Sequence, residues 1–320
     1  MKAVALSGYG HDNVSLQDVP DPEAGPGEVV VRVRAASLNH LDLFTLSGVL
    51  GIEHHFPHPL GADGAGEIDS VGEGVKGLKP GTPVMINPGH SCRQCELCRA
   101  GEHSECPRFR MLGEHLPGTL AEKVVVPHTN VYPFPEALSF SEAAALGVTF
   151  ITAYRMLFSR GHMRPGEWVL ITGIGGGLAQ SLFQLARPLA GRVFVTSSSR
   201  AKLDQALEMG ADAGIHYQEE EVGKTIRHQT GKRGVDLVVD SAGGPSIDQA
   251  LSALRKGGRV VVAGATAGRK AEINVSRLFW NQLSIVGSTM GSDRDVSDML
   301  RMVSGMGLRP LIQATYPLAK

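Results

Sequence analysis

Trp168-Val169-Leu170-Ile171-Thr172-Gly173-Ile174-Gly175-Gly176-Gly177-Leu178-Ala179 runs from an apolar, β-branched stretch through clustered glycines into a helical pattern. Leu178, Leu182, Leu185, Ala186 and Leu189 then recur at offsets of 0, 4, 7, 8 and 11, one face of a helix. Pro188 ends or kinks that helix before Gly191. Backbone without Cβ atoms approaches a pyrophosphate closely, and the free N–H groups of a helix start attract its charge. Leu178 stands where the third glycine of a G-x-G-x-x-G string would fall, so the reading leans on the strand–turn–helix context. Gly173, Gly175, Gly176, Gly177 and Leu178 are the candidate phosphate-binding residues; a turn that serves close packing alone is the alternative.

Working outward, Arg192–Thr196, Val235–Val239 and Arg259–Ala263 are further short strands, with weaker ones at Ala213–Tyr217 and Leu283–Gly287. Strand, helix, strand at this spacing means parallel pairing through right-handed crossovers, here a doubly wound sheet of six strands. Before about Pro135 the texture differs. Val29-Val30-Val31-Arg32-Val33-Arg34-Ala35 alternates over its second half, and glycines and prolines punctuate the rest, as in an irregular β domain.

With 31 Lys+Arg against 32 Asp+Glu, the formal charge of -1 excludes a broad basic face for nucleic acid or a polybasic arm for membranes. No apolar run approaches the ~20 residues of a membrane span. The four cysteines, Cys92, Cys95, Cys98 and Cys106, fall within one short segment. Four thiolates so spaced close a tetrahedral shell around one structural Zn2+, leaving no open position for chemistry. An iron–sulfur cluster is the alternative. Cysteines gathered this way, rather than scattered to staple loops, fit a cytoplasmic chain.

A dinucleotide site usually carries an acid at the end of its second strand for the ribose 2′-hydroxyl. Here Ser197-Ser198-Ser199-Arg200-Ala201-Lys202 follows, with no carboxylate before Asp204. Hydroxyls and two cations suit a 2′-phosphate, which points to NADPH.

The β-rich front, the four-cysteine segment, the glycine turn and Pro59-Leu60-Gly61-Ala62-Asp63-Gly64-Ala65-Gly66-Glu67 together resemble the medium-chain dehydrogenase/reductases, zinc alcohol dehydrogenases and quinone oxidoreductases among them. The resemblance implies an α/β chain: a GroES-like, partly open β-barrel catalytic domain and a Rossmann domain. The expected bounds are 1–134 with 289–320 for the catalytic domain, its zinc lobe at about 88–110, and 135–288 for the Rossmann domain. Lys202 and Tyr217 match a Lys and Tyr that flank the 2′-phosphate in NADPH-specific quinone reductases. Ser197, Arg200 and Gly264, near strand ends, complete the candidate cofactor set.

The departures from the family matter most. The catalytic-zinc positions of the alcohol dehydrogenases match Asn39, Ala62 and about Val148, and Ala and Val have no side-chain donor. The chain therefore resembles members that keep the structural zinc and lack the catalytic one. Hydride transfer from NADPH to a quinone, an enone or an aldehyde follows. Asn39 and Asp42 line the nicotinamide end by resemblance, His40 is a candidate acid, and Phe44 replaces a frequent Tyr. One alternative is a zinc alcohol dehydrogenase with a site rebuilt from His40, His54, His55, His58, Asp63 and His115. A second is an NADPH-binding protein without turnover. The sixth strand, at a sheet edge, implies a homodimer or homotetramer.

Overall fold

The computed structural model describes residues 1–48 and 51–319. Val49 and Leu50, in the segment 48–56 that the family resemblance would make a wall of the substrate pocket, lie outside the described residues, as does Lys320. The chain divides into two compact units, Met1–Ile151 with Gly291–Lys320, and Thr152–Met290.

The first unit is antiparallel. β1 (Lys2–Leu6) lies between β2 (Val14–Asp18) and β4 (His58–Pro59). A curled five-stranded half-barrel joins β3 (Glu28–Ser37), β5 (Asp63–Val71), β6 (Pro83–Ile86), β9 (Lys123–Pro127) and β10 (Val131–Tyr132) in the order β10-β6-β5-β3-β9. Val29, Val31, Ile68, Val84, Ile86 and Val124 form its core. On the wet face, Arg32 reaches Asp69 at 2.5 Å and Arg34 reaches Glu67 at 2.7 Å across β5. A slip of one residue would turn both guanidinium groups inward, so the alternation itself sets the register.

β7 (Gly89–His90) and β8 (Arg110–Met111) pair at the base of the cysteine lobe, which holds the short helix α2 (Glu96–Arg99). Helix α1 (His40–Ser47) follows β3 directly. α3 (Phe140–Ala144) starts with a capping box: Glu142 accepts from Ser139 N at 2.8 Å, and Glu142 N donates to Ser139 Oγ at 3.3 Å. Because α3 packs on β3 and β5, the first unit runs to Ile151, beyond the 134/135 boundary read from texture. Helix α4 (Val148–Tyr154) spans the division.

The second unit is a parallel sheet of β11 (Trp168–Ile171), β12 (Arg192–Ser197), β13 (Ala213–His216), β14 (Val235–Asp240), β15 (Leu254–Val262) and β16 (Ser284–Gly287). Its order, β13-β12-β11-β14-β15-β16, is that of a doubly wound dinucleotide fold. The crossovers include α5 (Gly177–Ala186), α6 (Arg200–Glu208), α7 (Val222–Gln229), α8 (Ser246–Ala253) and α9 (Val275–Trp280). Leu170, Phe194, Val238 and Val260 pack with Ile226, Ile247 and Leu251 to bury one face. Helix α5 stops at Ala186, just before Pro188, so Leu189 lies outside it. The chain then returns to the first unit with α10 (Asp293–Met306), capped by Ser292 and Asp295.

Candidate functional site

The end of β3, the start of α1 and the start of β5 meet at Asp63. This carboxylate is fully buried. It accepts from Ser37 Oγ at 2.7 Å, Asn39 Nδ2 at 2.8 Å and Val148 N at 2.7 Å. Burial pushes the Asp63 carboxyl up to about 6, against the pull of those donors. Gly147 makes the approach possible: a Cβ there would lie 2.0 Å from Asp63 Oδ1. Of this group the sequence singles out Asn39 and Val148, and it offers Asp63 as a residue of the Pro59–Glu67 motif and a possible metal ligand. Nothing along the chain marks Ser37 or Gly147 as partners of Asp63.

Asp42 serves α1 itself. Its Oδ2 accepts from Asn39 N at 2.7 Å, closing the first helical turn. Burial lifts Asp42 to about 6, with the Asn39 and Gly61 amides opposing it. Its place is that of a positioning residue for Asn39. The Asn39 amide, placed by resemblance at the nicotinamide end, is committed to Asp63. His40 is exposed, its ring edge-on to Phe44 at 5.5 Å between centroids.

The remaining histidines do not converge on an ion. His54 Nε2 lies 2.6 Å from Glu114 O, and its Nδ1 lies 3.0 Å from Tyr9 Oη. His58 Nε2 lies 3.2 Å from Gly113 O, and burial pushes this ring down to about 4. Among the described residues, the one group of three or more His, Cys, Asp or Glu donors close enough to share an ion is the four cysteines.

Those cysteines fit zinc. Their four Sγ atoms lie within 4.8 Å of one another, with Cys92–Cys98 and Cys95–Cys106 each at 3.9 Å. A tetrahedron of ~2.3 Å Zn–S bonds has edges of ~3.8 Å. Backbone amides already point at sulfur: Cys92 N and Arg108 N at Cys106 Sγ (3.4 and 3.3 Å), Cys95 N at Cys92 Sγ (3.4 Å). Such donors stabilise thiolates, and the Cys92 thiol is drawn down to about 5, led by the Gln94 amide. Arg93 adopts φ 61, uncommon for a side-chain-bearing residue, and its guanidinium pairs with Asp293 at the head of α10.

In the second unit the glycine turn opens α5 as read. Gly173 has φ 67 and open space around it, and Gly176 is the N-cap. Lys202 crosses from α6 onto this turn: a Cβ on Gly175 would lie 2.5 Å from Lys202 Cδ and 2.7 Å from Nζ. Gly177 and Leu178 begin the helix. Ser197 ends β12, buried, its Oγ accepting from Ser199 N at 3.1 Å. Tyr217 is exposed beside it, joined through Tyr217 N to Ser197 O at 3.2 Å. Arg200 is engaged by Glu219, a partner with no signal along the chain because it lies just past the end of another strand, β13. Gly264 has a packing explanation, since a Cβ there would meet Ser241 O at 2.2 Å. The donor set fits a dinucleotide: free amides at a helix start, an ammonium above them and hydroxyls at the next strand end.

Among the described residues, no helix is long and apolar enough to cross a membrane. Residues 25–136 match the alcohol dehydrogenase GroES-like domain, and residues 177–305 match the zinc-binding dehydrogenase domain. The chain is 31% identical over 322 residues to an acryloyl-coenzyme A reductase of Sulfurisphaera tokodaii, covering 99% of this chain and 93% of that one. A solved NAD-dependent alcohol dehydrogenase shares 43% identity and a TM-score of 0.92, over 97% of this chain and 91% of that one. The crotonyl-CoA carboxylase/reductase AntE, solved in complex with NADP, gives a TM-score of 0.88 at 26% identity, over 97% and 86%. By both matched domains and the full-length relatives, the chain belongs to the zinc-binding dehydrogenases of the medium-chain dehydrogenase/reductase superfamily, and it is an oxidoreductase.

Proposed function

We infer that the chain is an NADPH-dependent reductase that delivers hydride to an activated acceptor, a quinone or an α,β-unsaturated carbonyl, without a metal at the reacting oxygen. The observation that carries this is the group around Asp63. At the three positions matched to the catalytic-zinc ligands, Ala62 has no donor atom, the Val148 amide is bonded to Asp63, and so is the Asn39 amide. Such a set does not hold a Lewis-acid zinc.

Bound NADPH supplies the hydride. The chain's own residues hold the dinucleotide: the Gly173–Gly177 turn at the pyrophosphate, the Ser197–Arg200 segment with Tyr217 at the 2′-phosphate, and Lys202, matched by resemblance to the 2′-phosphate, at the pyrophosphate instead because it lies over Gly175. Phe44 offers no phenol, the Asn39 amide is taken and His40 is exposed with its ring against Phe44, so water or a cofactor hydroxyl supplies the proton. That suits acceptors whose developing negative charge is already delocalised. Acryloyl-coenzyme A, named for the Sulfurisphaera relative, is an unsaturated thioester of this class.

The 43% identity to an NAD-dependent alcohol dehydrogenase supports a second reading, alcohol oxidation at a rebuilt metal site. One experiment separates the two. NADPH oxidation across a panel of quinones, enones and enoyl thioesters, with about one zinc per chain, supports the reductase. Alcohol oxidation with about two zinc ions per chain supports the dehydrogenase, and tight NADPH binding with no turnover supports a non-catalytic role.

The reading carries with it a cytoplasmic setting and a small-molecule substrate. It also carries a homodimer formed through the edge of β16. Among the described residues β16 pairs with β15 alone, and exposed Ile285 on it, with exposed Val275, Phe279 and Trp280 on the helix that precedes it, favours a second copy as its cover.

A further inference from the structure

We propose that Glu219 tunes the chain's choice between the two nicotinamide dinucleotides by competing with the adenosine 2′-phosphate for Arg200, an inference that rests on the dinucleotide reading of the glycine turn.

The two cations at the start of α6 have different neighbours. Lys202 lies over Gly175, and no carboxylate pairs with it among the described residues. Arg200 instead pairs through its Nη2 with Glu219 Oε2. Both partners are exposed, their side chains at 64% and 52%, so an incoming anion can reach the pair. Arg200 also sits where the fold places the ribose 2′ position, just past the end of β12.

Glu219 is held in place from behind. Its amide donates to His216 O at 2.9 Å, and its Oε1 lies 3.4 Å from His216 Nδ1. The buried His216 ring in turn places Nε2 2.9 Å from Ser198 O, inside the Ser197–Arg200 segment. Glu220 takes no part at Arg200, since its carboxylate accepts from His216 N at 3.0 Å and Thr225 Oγ1 at 3.3 Å. A single acid on the next strand end therefore holds the cation that a 2′-phosphate needs.

A carboxylate and a phosphate present similar pairs of acceptor oxygens to a guanidinium fork. Only one of them can take the same face of Arg200. NADH carries a hydroxyl at the 2′ position and leaves the Arg200–Glu219 pair closed. The pair thus lowers affinity for NADPH and leaves NADH untouched. An exposed ion pair of this kind is worth a factor of about two to five in binding.

The test is equilibrium titration of the full chain with NADPH and with NADH, read by tryptophan quenching and calorimetry. Glu219→Gln is expected to tighten NADPH about two- to fivefold and to leave NADH unchanged. In an Arg200→Ala background the same substitution should have no effect on NADPH. Equal shifts for both dinucleotides, or an effect that persists without Arg200, would overturn the proposal. Should Glu219→Gln fold poorly, Glu219→Asp, which shortens the acid, is expected to give a smaller shift in the same direction. A wild-type chain that binds NADH more tightly than NADPH would count against the NADPH reading alone, because Glu219 is judged by the change in the ratio. Binding of neither dinucleotide would sink both.

Discussion

Asn39 Nδ2 and Asp63 Oδ2 lie 2.8 Å apart, an amide and a carboxylate that satisfy each other across 24 positions of sequence. The contact joins the head of α1 to the start of β5, and Val148 N completes it from the head of α4. Three donors on one buried acid make this group a structural centre of the first unit as well as its candidate active site.

Removing the acid should therefore be costly. Asp63→Ala strands the half-buried Ser37 hydroxyl and Asn39 and Val148 amides around a fully buried position. Unsatisfied buried donors cost about 1–3 kcal/mol each, so a loss of about 3 kcal/mol or more is expected in urea unfolding. A change below about 0.5 kcal/mol, typical of a surface site, would show that the group is not held together by Asp63.

The same acid gives a pH signature. Burial raises Asp63, and Asp42 beside it, from 3.8 to about 6. A carboxyl whose folded pKa exceeds its unfolded value binds more protons when folded. Its contribution is fully present below about 3.8 and is lost as pH rises through about 6. His58, lowered from 6.5 to about 4, slopes the other way, and its effect cancels when two variants are compared. Across this window the stability of wild type relative to Asp63→Asn should fall as pH rises, measured by urea midpoints. A flat difference would contradict the assignment.

The cysteine lobe should hold one zinc per chain. Stripping it with a chelator, or with Cys98→Ser, removes up to ~10–16 kcal/mol of ordering from the loop. Arg93, which pairs with Asp293, links that loop to α10. Hydrogen exchange is expected to rise in Cys92–Cys106 and also in Asp293–Met306, with the second unit unaffected. Protection unchanged in α10 would show that the lobe folds independently of it.

At the glycine turn, Lys202→Ala should weaken dinucleotide binding by about tenfold, the worth of one charge-assisted contact to phosphate. Gly175→Ala is expected to do the same by a different route, since the added carbon collides with the lysine stem. Titration with either dinucleotide measures both. Unchanged affinity in each variant would remove the phosphate from this turn.

Trp280→Glu places a charge in the exposed apolar strip beside β16. Light scattering should show a shift from dimer to monomer with the melting behaviour of the second unit retained. A wild type that is already monomeric at high concentration would dispose of the edge-pairing proposal.

Much of this is legible in the residues alone. The six parallel strands came from apolar, β-branched runs at regular spacing, and the metal lobe from cysteines so close in sequence that their convergence needs only a few turns of chain. The glycine turn was read from its flanking strand and helix. What the residues did not disclose was which distant groups would meet. Residue types place Asn39 at the nicotinamide end and Arg200 as a cation for phosphate, but they do not show the Asn39 amide on Asp63 or Glu219 beside Arg200.

The fold class, the candidate zinc shell and the lack of ligand atoms at Ala62 and Val148 follow from residue types and spacings within a short stretch. The partners of Asp63 and Arg200 and the reach of the first unit past α3 follow from the folded chain instead. Those depend on strand register and helix packing, which bring together residues whose separation along the chain carries no periodic signal.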